Sequence, residues 1–152
     1  PKIREQGGAY GASLDFERRS GYLALTSYRD PNLLETLATY DATGAFLRAL
    51  QLSDSDLARS IIGALNGVDP YQLPGARGFT SLQRYLIDQT EVDRQRLRDE
   101  LFATVPADFR DFADVMDGVR DHGQVVVMGS EATLSEANRA QGGGWLTLEK
   151  IM

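Results

Sequence analysis

IREQGGAYGASLDFERRSGYLALTSYRDP, residues 3–31, is the stretch whose reading decides the fold. Residues 9–17 alternate. Tyr10, Ala12, Leu14 and Phe16 fall on one face, with Ala9, Gly11, Ser13, Asp15 and Glu17 on the other, the period of a half-buried strand. Residues 22–28, YLALTSY, make a second and more apolar extended run. The polar turn Arg18-Arg19-Ser20-Gly21 between them makes an antiparallel hairpin the simplest pairing. Asp30 then suits a helix N-cap and Pro31 a first helical residue. In front of the hairpin stand Arg4, a Gly7-Gly8 break and, six positions after the arginine, Tyr10. A cation and a phenol on flexible backbone can grip a peptide or an oxyanion, but they are not a complete active site.

Downstream of the hairpin the period changes from two to 3.6. Leu33, Leu34, Leu37, Ala38, Ala45, Phe46, Ala49 and Leu50 predict a helix to about residue 50. Gly44 inside it costs up to ~1 kcal/mol relative to alanine, so packing must support that helix. Ser53 to Asp56 cap the next helix, which carries Leu57, Ile61, Ile62 and Leu65 and stops at Gly67. Residues 68–80, VDPYQLPGARGFT, read as a loop shaped by two prolines and two glycines, followed by a short helix over 81–87. Thr90 caps a polar helix over 91–104, whose charged residues, Arg94 and Arg98 among them, read as a solvated face. Another helix resumes after Pro106, over 107–120.

Residues 124–128, with three consecutive valines, read as a buried strand. Thr133 and Glu136 have the spacing of a capping box for a short helix over 134–139. Residues 142–144 are a glycine turn, and 145–151 read as a last strand. The class is therefore α+β, a largely antiparallel sheet backed by helices on one face.

Composition sets the outer bounds. The chain has 152 residues, enough for one domain with its own core. Its formal charge is −6 with no basic block, which argues against nucleic acid as the main partner. It has no cysteine, so neither disulfides nor thiolate metal sites form. No apolar run approaches the roughly 18 residues of a transmembrane helix, so no membrane partner is expected. The start, Pro1-Lys2-Ile3-Arg4, shows no signal-peptide pattern and enters the motif abruptly. The expectation is a single domain over 1–152, cut from a longer protein.

Several chemistries are missing from the residue list. A hydrolytic zinc site takes three protein ligands, and the only histidine, His122, sits in a polar turn that suits a surface or capping role. No His-Glu-x-x-His, inverted His-x-x-Glu-His or Gly-x-Ser-x-Gly pattern occurs. The glycine clusters at 7–8 and 142–144 lack the strand, lysine or helix of a phosphate loop. Arg4 and Tyr10 remain, and spacing alone leaves two readings open for them. They are a substrate grip, or Arg4 caps a helix C-terminus and Tyr10 is a core tyrosine beside Leu14 and Phe16.

Arg4-x-x-Gly7-Gly8-Ala9-Tyr10-Gly11, followed closely by Ser27-Tyr28-Arg29-Asp30-Pro31-Asn32-Leu33, resembles the C-terminal half of the presequence protease family. That family belongs to the pitrilysin/insulinase class of zinc metallopeptidases. The likeness continues through Ile61-Ile62-Gly63, the Asp69-Pro70-x-x-x-Pro74-x-x-x-Gly78 loop and Thr90-x-x-x-Arg94-Gln95-x-x-Arg98-x-Glu100, to about Val127.

The resemblance implies a pitrilysin-like domain truncated at its front. It implies an ATP-independent endopeptidase of two related halves closing around a peptide substrate. The zinc belongs to the N-terminal half of the same chain and lies outside this segment, which holds no metal itself. Arg4 binds substrate carbonyls and Tyr10 hydrogen-bonds near the scissile carbonyl, with Gly7 and Gly8 also against the peptide. The segment alone is expected to be inactive. Arg29 is kept as structural. The compartment implied is cytoplasm in a bacterium or an organelle matrix in a eukaryote. The same fold also occurs in non-catalytic subunits, and a non-catalytic peptide-binding or scaffold subunit is the alternative reading.

Overall fold

The computed structural model describes residues 2–18 and 20–151. The alternating run forms β1 (Gly11–Glu17), and the apolar run forms β2 (Tyr22–Tyr28). They pair antiparallel in the register Gly11↔Tyr28, Leu14↔Leu25 and Glu17↔Tyr22. The polar face carries its own cross-strand bond, Ser13 Oγ to Thr26 Oγ1 at 2.7 Å, with Asp15 accepting from Ser13 at 2.9 Å. In the turn, Gly21 takes φ +71° and donates its N–H to the Glu17 carbonyl at 3.0 Å. Arg19, part of the predicted turn, lies outside the described residues.

Among the described residues seven α-helices follow: α1 (Leu33–Asp41), α2 (Thr43–Ala49), α3 (Asp54–Val68), α4 (Pro74–Leu86), α5 (Glu91–Ala103), α6 (Pro106–His122) and α7 (Glu131–Ala140). The class is α+β, as read, but helix dominates and the sheet has two strands among the described residues. None of these helices is long and apolar enough to cross a membrane. The chain divides into two compact units. One takes the chain up to Phe46 and from Ala113 onward; the other is Leu47–Phe112.

In the first unit, Ala9, Ala113, Met116 and Ala137 are buried, with Thr36 beside them. Gly44 is buried where α2 meets α6: a Cβ there would lie 2.4 Å from Asp117 Oδ1 and 3.1 Å from the Ala113 carbonyl. Close approach of α6 is the support that a glycine inside this helix required. The helix predicted from Pro31 to residue 50 differs in two ways. It starts at Leu33, with Asn32 at the N-cap position, and it breaks at Ala42. Asp30 is not the cap; its carboxylate instead serves Asn32 and Thr36.

Neither later strand forms. Residues 124–128 run without a pairing partner, and Val126 is 91% and Met128 83% exposed. Residues 145–151 have no strand neighbour either. Here a side chain substitutes for one: Asn138 on α7 donates to the Leu146 carbonyl at 2.8 Å and accepts from the Leu146 N–H at 2.6 Å. That one amide satisfies both backbone groups of Leu146. Gly142, Gly143 and Gly144 all take positive φ, so the chain reverses sharply before Leu146. α7 begins one turn earlier than expected, because Ser130 rather than Thr133 accepts from the backbone, at 3.2 Å from Thr133 N.

In the second unit, α3 and α5 keep their predicted caps. Ser53 accepts from Asp56 N, and Thr90 with Asp93 makes a reciprocal capping box. The predicted loop over 68–80 is half wrong. Pro74 takes the first position of α4, where its missing N–H is not needed, and the helix runs through Gly75 and Gly78. Arg94 and Arg98 do not form a solvated face. Asp69 bridges Arg94 at 2.9 Å and Arg98 at 3.1 Å, and Glu91 bridges the same two arginines at 2.5 and 2.6 Å. Two carboxylates and two guanidinium forks thus pin the start of the 69–73 loop to α5.

A hydrogen bond from Arg98, with the nearby Arg94 charge, holds the Glu91 carboxyl below its ordinary range despite some desolvation. Since the folded value is lowered, this stabilisation is complete above the unfolded glutamate value of about 4.3. It fades as pH falls through the folded value. Carboxyl-carbon NMR should show Glu91 titrating below the ordinary glutamate range, with most of the shift lost in Arg98→Gln. Gly44→Ala should lower unfolding free energy by about 1–2 kcal/mol in urea, overpacking exceeding the helix-propensity gain.

Candidate functional site

Arg4, Gly7, Gly8 and Tyr10 lie together in the first unit, on the backbone that enters the hairpin. Arg4 sits in a wide π-helical turn, Lys2–Gln6, and is exposed. The turn closes through Gly7 N to the Lys2 carbonyl at 2.7 Å and Ala9 N to the Ile3 carbonyl at 3.1 Å. This winding accounts for both glycines. A Cβ on Gly7 would stand 2.7 Å from the Ile3 carbonyl oxygen, a backbone atom that cannot swing away. Gly8 has φ +77°, a conformation L side chains rarely adopt. Buried Ala9 then anchors the backbone, and Tyr10 N donates to the Tyr28 carbonyl at 3.1 Å, extending the ladder one residue beyond Gly11.

A second tie comes from the start of α1. The Asn32 side-chain amide donates to the Gly7 carbonyl. Asn32 is held in turn by Asp30, whose carboxylate accepts from Asn32 N at 2.9 Å and from Thr36 Oγ1 at 2.6 Å. Desolvation pushes the Asp30 carboxyl upward, but hydrogen bonds from Thr36, the Asn32 backbone and Ser27 outweigh it and leave the group below its ordinary range. Nearby, burial pushes the Tyr40 phenol up, and the Asp30 charge adds to this. Ser27 offsets part of that shift without closing a hydrogen bond of standard geometry to the buried Tyr40 hydroxyl.

These ties decide between the two readings of Tyr10 on one point: it is not in a core. Tyr10 is 73% exposed. Its ring stands edge-on to Tyr28, centroids 6.0 Å apart at 84°. The guanidinium of Arg29 lies 5.9 Å from the Tyr10 ring centre and 5.4 Å from that of Tyr28. Arg29 has φ +48°, unfavourable for any residue with a Cβ. The backbone strain places a cation over both rings instead of letting β2 run on straight. Sequence reasoning kept Arg29 as a strand end and missed this. The available signal was register: with Gly11 opposite Tyr28, one step further brings Arg29 opposite Tyr10.

Arg4 makes no hydrogen bond or ion pair among the described residues, so its fork of donors is open to a ligand. No three His, Cys, Asp or Glu side chains gather into a metal-holding group among the described residues. His122 ends α6 and is exposed, in keeping with a surface role. What the geometry offers is two cations and a phenol hydroxyl on a braced turn. These are hydrogen-bond donors for carbonyl oxygens or a developing oxyanion.

The model of the PreP C-terminal domain family matches residues 1–131. The chain is 47% identical over 137 residues to presequence protease 1, chloroplastic/mitochondrial, of Arabidopsis thaliana, covering 90% of this chain and 13% of that protein. It is 35% identical over 141 residues to the mitochondrial presequence protease of Aspergillus oryzae, covering 90% and 13%. Protein HypA of Clostridium perfringens is 30% identical over 134 residues, 88% of this chain and 14% of that protein. The chain thus spans about an eighth of the length of these relatives.

Asn32→Ala removes the tie to Gly7 and leaves that carbonyl to water. Amide exchange at Gly7–Tyr10 should speed up at least fivefold, with about 1 kcal/mol lost in global stability. Unchanged exchange at these amides would show that the π-helical turn holds itself.

Proposed function

The chain belongs to the PreP C-terminal domain family, and from that premise we propose that it is the zinc-free C-terminal part of a zinc metalloendopeptidase that degrades peptides. Its fold is the pitrilysin-like type, of which the hairpin and its helices are a portion. The zinc is held by the N-terminal half of the same polypeptide, by residues not in this segment, and this chain on its own is inert. In an organism with organelles the protein works in an organelle matrix; in a bacterium, in the cytoplasm.

The observation that carries this reading is the exposed, braced Tyr10. A core tyrosine would contribute burial. This one contributes a hydroxyl, on a turn stiffened by two obligatory glycines and the Asn32 amide. Arg4 takes substrate backbone carbonyls with its planar fork and sets the register of the peptide. Tyr10 donates to the scissile carbonyl oxygen as negative charge develops on it, a contact that strengthens in the transition state. Arg29, over the Tyr10 ring, favours the ring orientation seen here, which reduces the reorganisation the hydroxyl needs when the charge appears. Gly7 and Gly8 bring backbone close to the peptide because they carry no side chain to hold it off.

Tyr10→Phe and Arg4→Ala in the full-length enzyme should each lower kcat/KM for a fluorogenic peptide by at least about tenfold, since an engaged donor is worth up to ~10²–10³. The Tyr10→Phe loss should fall on kcat and the Arg4→Ala loss largely on KM. Arg29→Ala should lower kcat several-fold with little change in KM. Wild-type rates in the first two variants would return Arg4 and Tyr10 to a structural role.

A further inference from the structure

The second unit contains a cleft that the peptide-gripping turn does not use. It has a volume of about 400 Å³, within the range of small-molecule sites. Asp69 and Tyr71 of the loop line it, with Arg77, Ser81 and Arg84 of α4 and Arg94 of α5. Arg77, Ser81 and Arg84 are spaced i, i+4 and i+7, so they form one stripe along α4.

The charges in this cleft do not cancel. Asp69 is taken by Arg94 and Arg98, and Glu91 balances the other half of that pair. Arg77 and Arg84 have no carboxylate partner among the described residues. The chain is acidic overall, with 22 Asp and Glu against 16 Lys and Arg, yet residues 70–87 contain no acid at all. Two arginines thus stay without a carboxylate beside one concavity. Tyr71, which lines it, is 92% exposed, and two further lining residues, Asp69 and Arg94, are held in the Asp69–Arg94–Arg98–Glu91 ring. Pro70 and Pro74 limit the loop's freedom further.

We propose that this cleft binds a small polyanion, a molecule bearing two phosphate or carboxylate groups, with Arg77 and Arg84 as its principal ligands and Ser81 Oγ between them. Guanidinium forks match the paired oxygens of either group. The two arginines start seven residues apart, about 10 Å along the helix axis. Their flexible stems span a ligand with two anionic groups better than a lone ion. Positive potential focused in a concave wall raises the local concentration of such anions. The site is independent of the peptide-gripping turn and of the peptidase reading.

The test is isothermal titration of this chain with inorganic pyrophosphate and, separately, with succinate, at fixed ionic strength. At least one should bind saturably at one site, and which of them does so assigns the anion as phosphate or carboxylate. Arg77→Gln/Arg84→Gln should weaken that binding at least tenfold with an unchanged circular dichroism spectrum. Arg59→Ala/Arg110→Ala removes the same charge elsewhere in the unit and should change it less than twofold. No saturable binding of either anion would overturn the proposal. So would equal binding by the Arg77/Arg84 variant, or equal loss in the control pair. If the double variant alters the spectrum, Ser81→Ala serves instead: it should weaken binding at least twofold, and no change would overturn the proposal.

Discussion

The bond from the Asn32 side chain to the Gly7 carbonyl is the constraint on which the rest of the first unit depends. It joins two segments 25 residues apart: the glycine turn that presents Arg4 and Tyr10, and the start of α1. Without it the turn would keep the Tyr10–Tyr28 ladder bond and the burial of Ala9, with no side-chain tie to α1. Asp30 makes the tie dependable by fixing Asn32 through its backbone, with Thr36 as a buried second partner. A motif that reads as two separate pieces, one before the hairpin and one after it, is therefore a single folded object. The hairpin's role is to bring the pieces back to the same place.

The same construction explains why little of this unit is core. Among the described residues the buried apolar side chains are three alanines and Met116, while Leu14, Phe16, Tyr22 and Tyr28 on the hairpin stay substantially exposed. Rigidity near Tyr10 comes from backbone geometry and hydrogen bonds: positive φ at Gly8 and Arg29, the π-helical closure, and the Asn32 amide. The second unit solves a similar problem with charge, where two carboxylates shared by two arginines fix a proline-bounded loop. In both units a loop is held by side chains reaching to it from a neighbouring helix.

Much of this was legible in the residues. The hairpin, α3, α5 and α6 follow from periodicity and caps, and Gly44 announced its own packing contact. Arg4, Gly7, Gly8 and Tyr10 stood out by spacing, though their roles came from family resemblance. Three things were hidden, each because a long-range contact overrode a local signal. Residues 145–151 look like a strand, but at Leu146 the Asn138 amide, not a strand neighbour, takes both backbone groups. Arg94 and Arg98 look solvated because their partner, Asp69, is more than twenty positions away. Arg29 looks like a strand end because nothing local reveals a positive φ or the two rings beneath it. The start of α4 was misjudged for a different reason: Pro-Gly reads as a turn, and only an exposed helix beginning at that proline tolerates both.

The central claim is that Tyr10 touches the substrate. It is tested most directly by installing the photo-crosslinking amino acid p-benzoylphenylalanine at position 10 of the full-length protein, in a hydrolysis-deficient background, and irradiating it with a peptide substrate. The account predicts a peptide adduct at position 10 that excess unlabelled peptide competes away, and none from the same probe at Tyr22, at the far end of the hairpin. Absence of an adduct at position 10, or equal labelling at both positions, would contradict it.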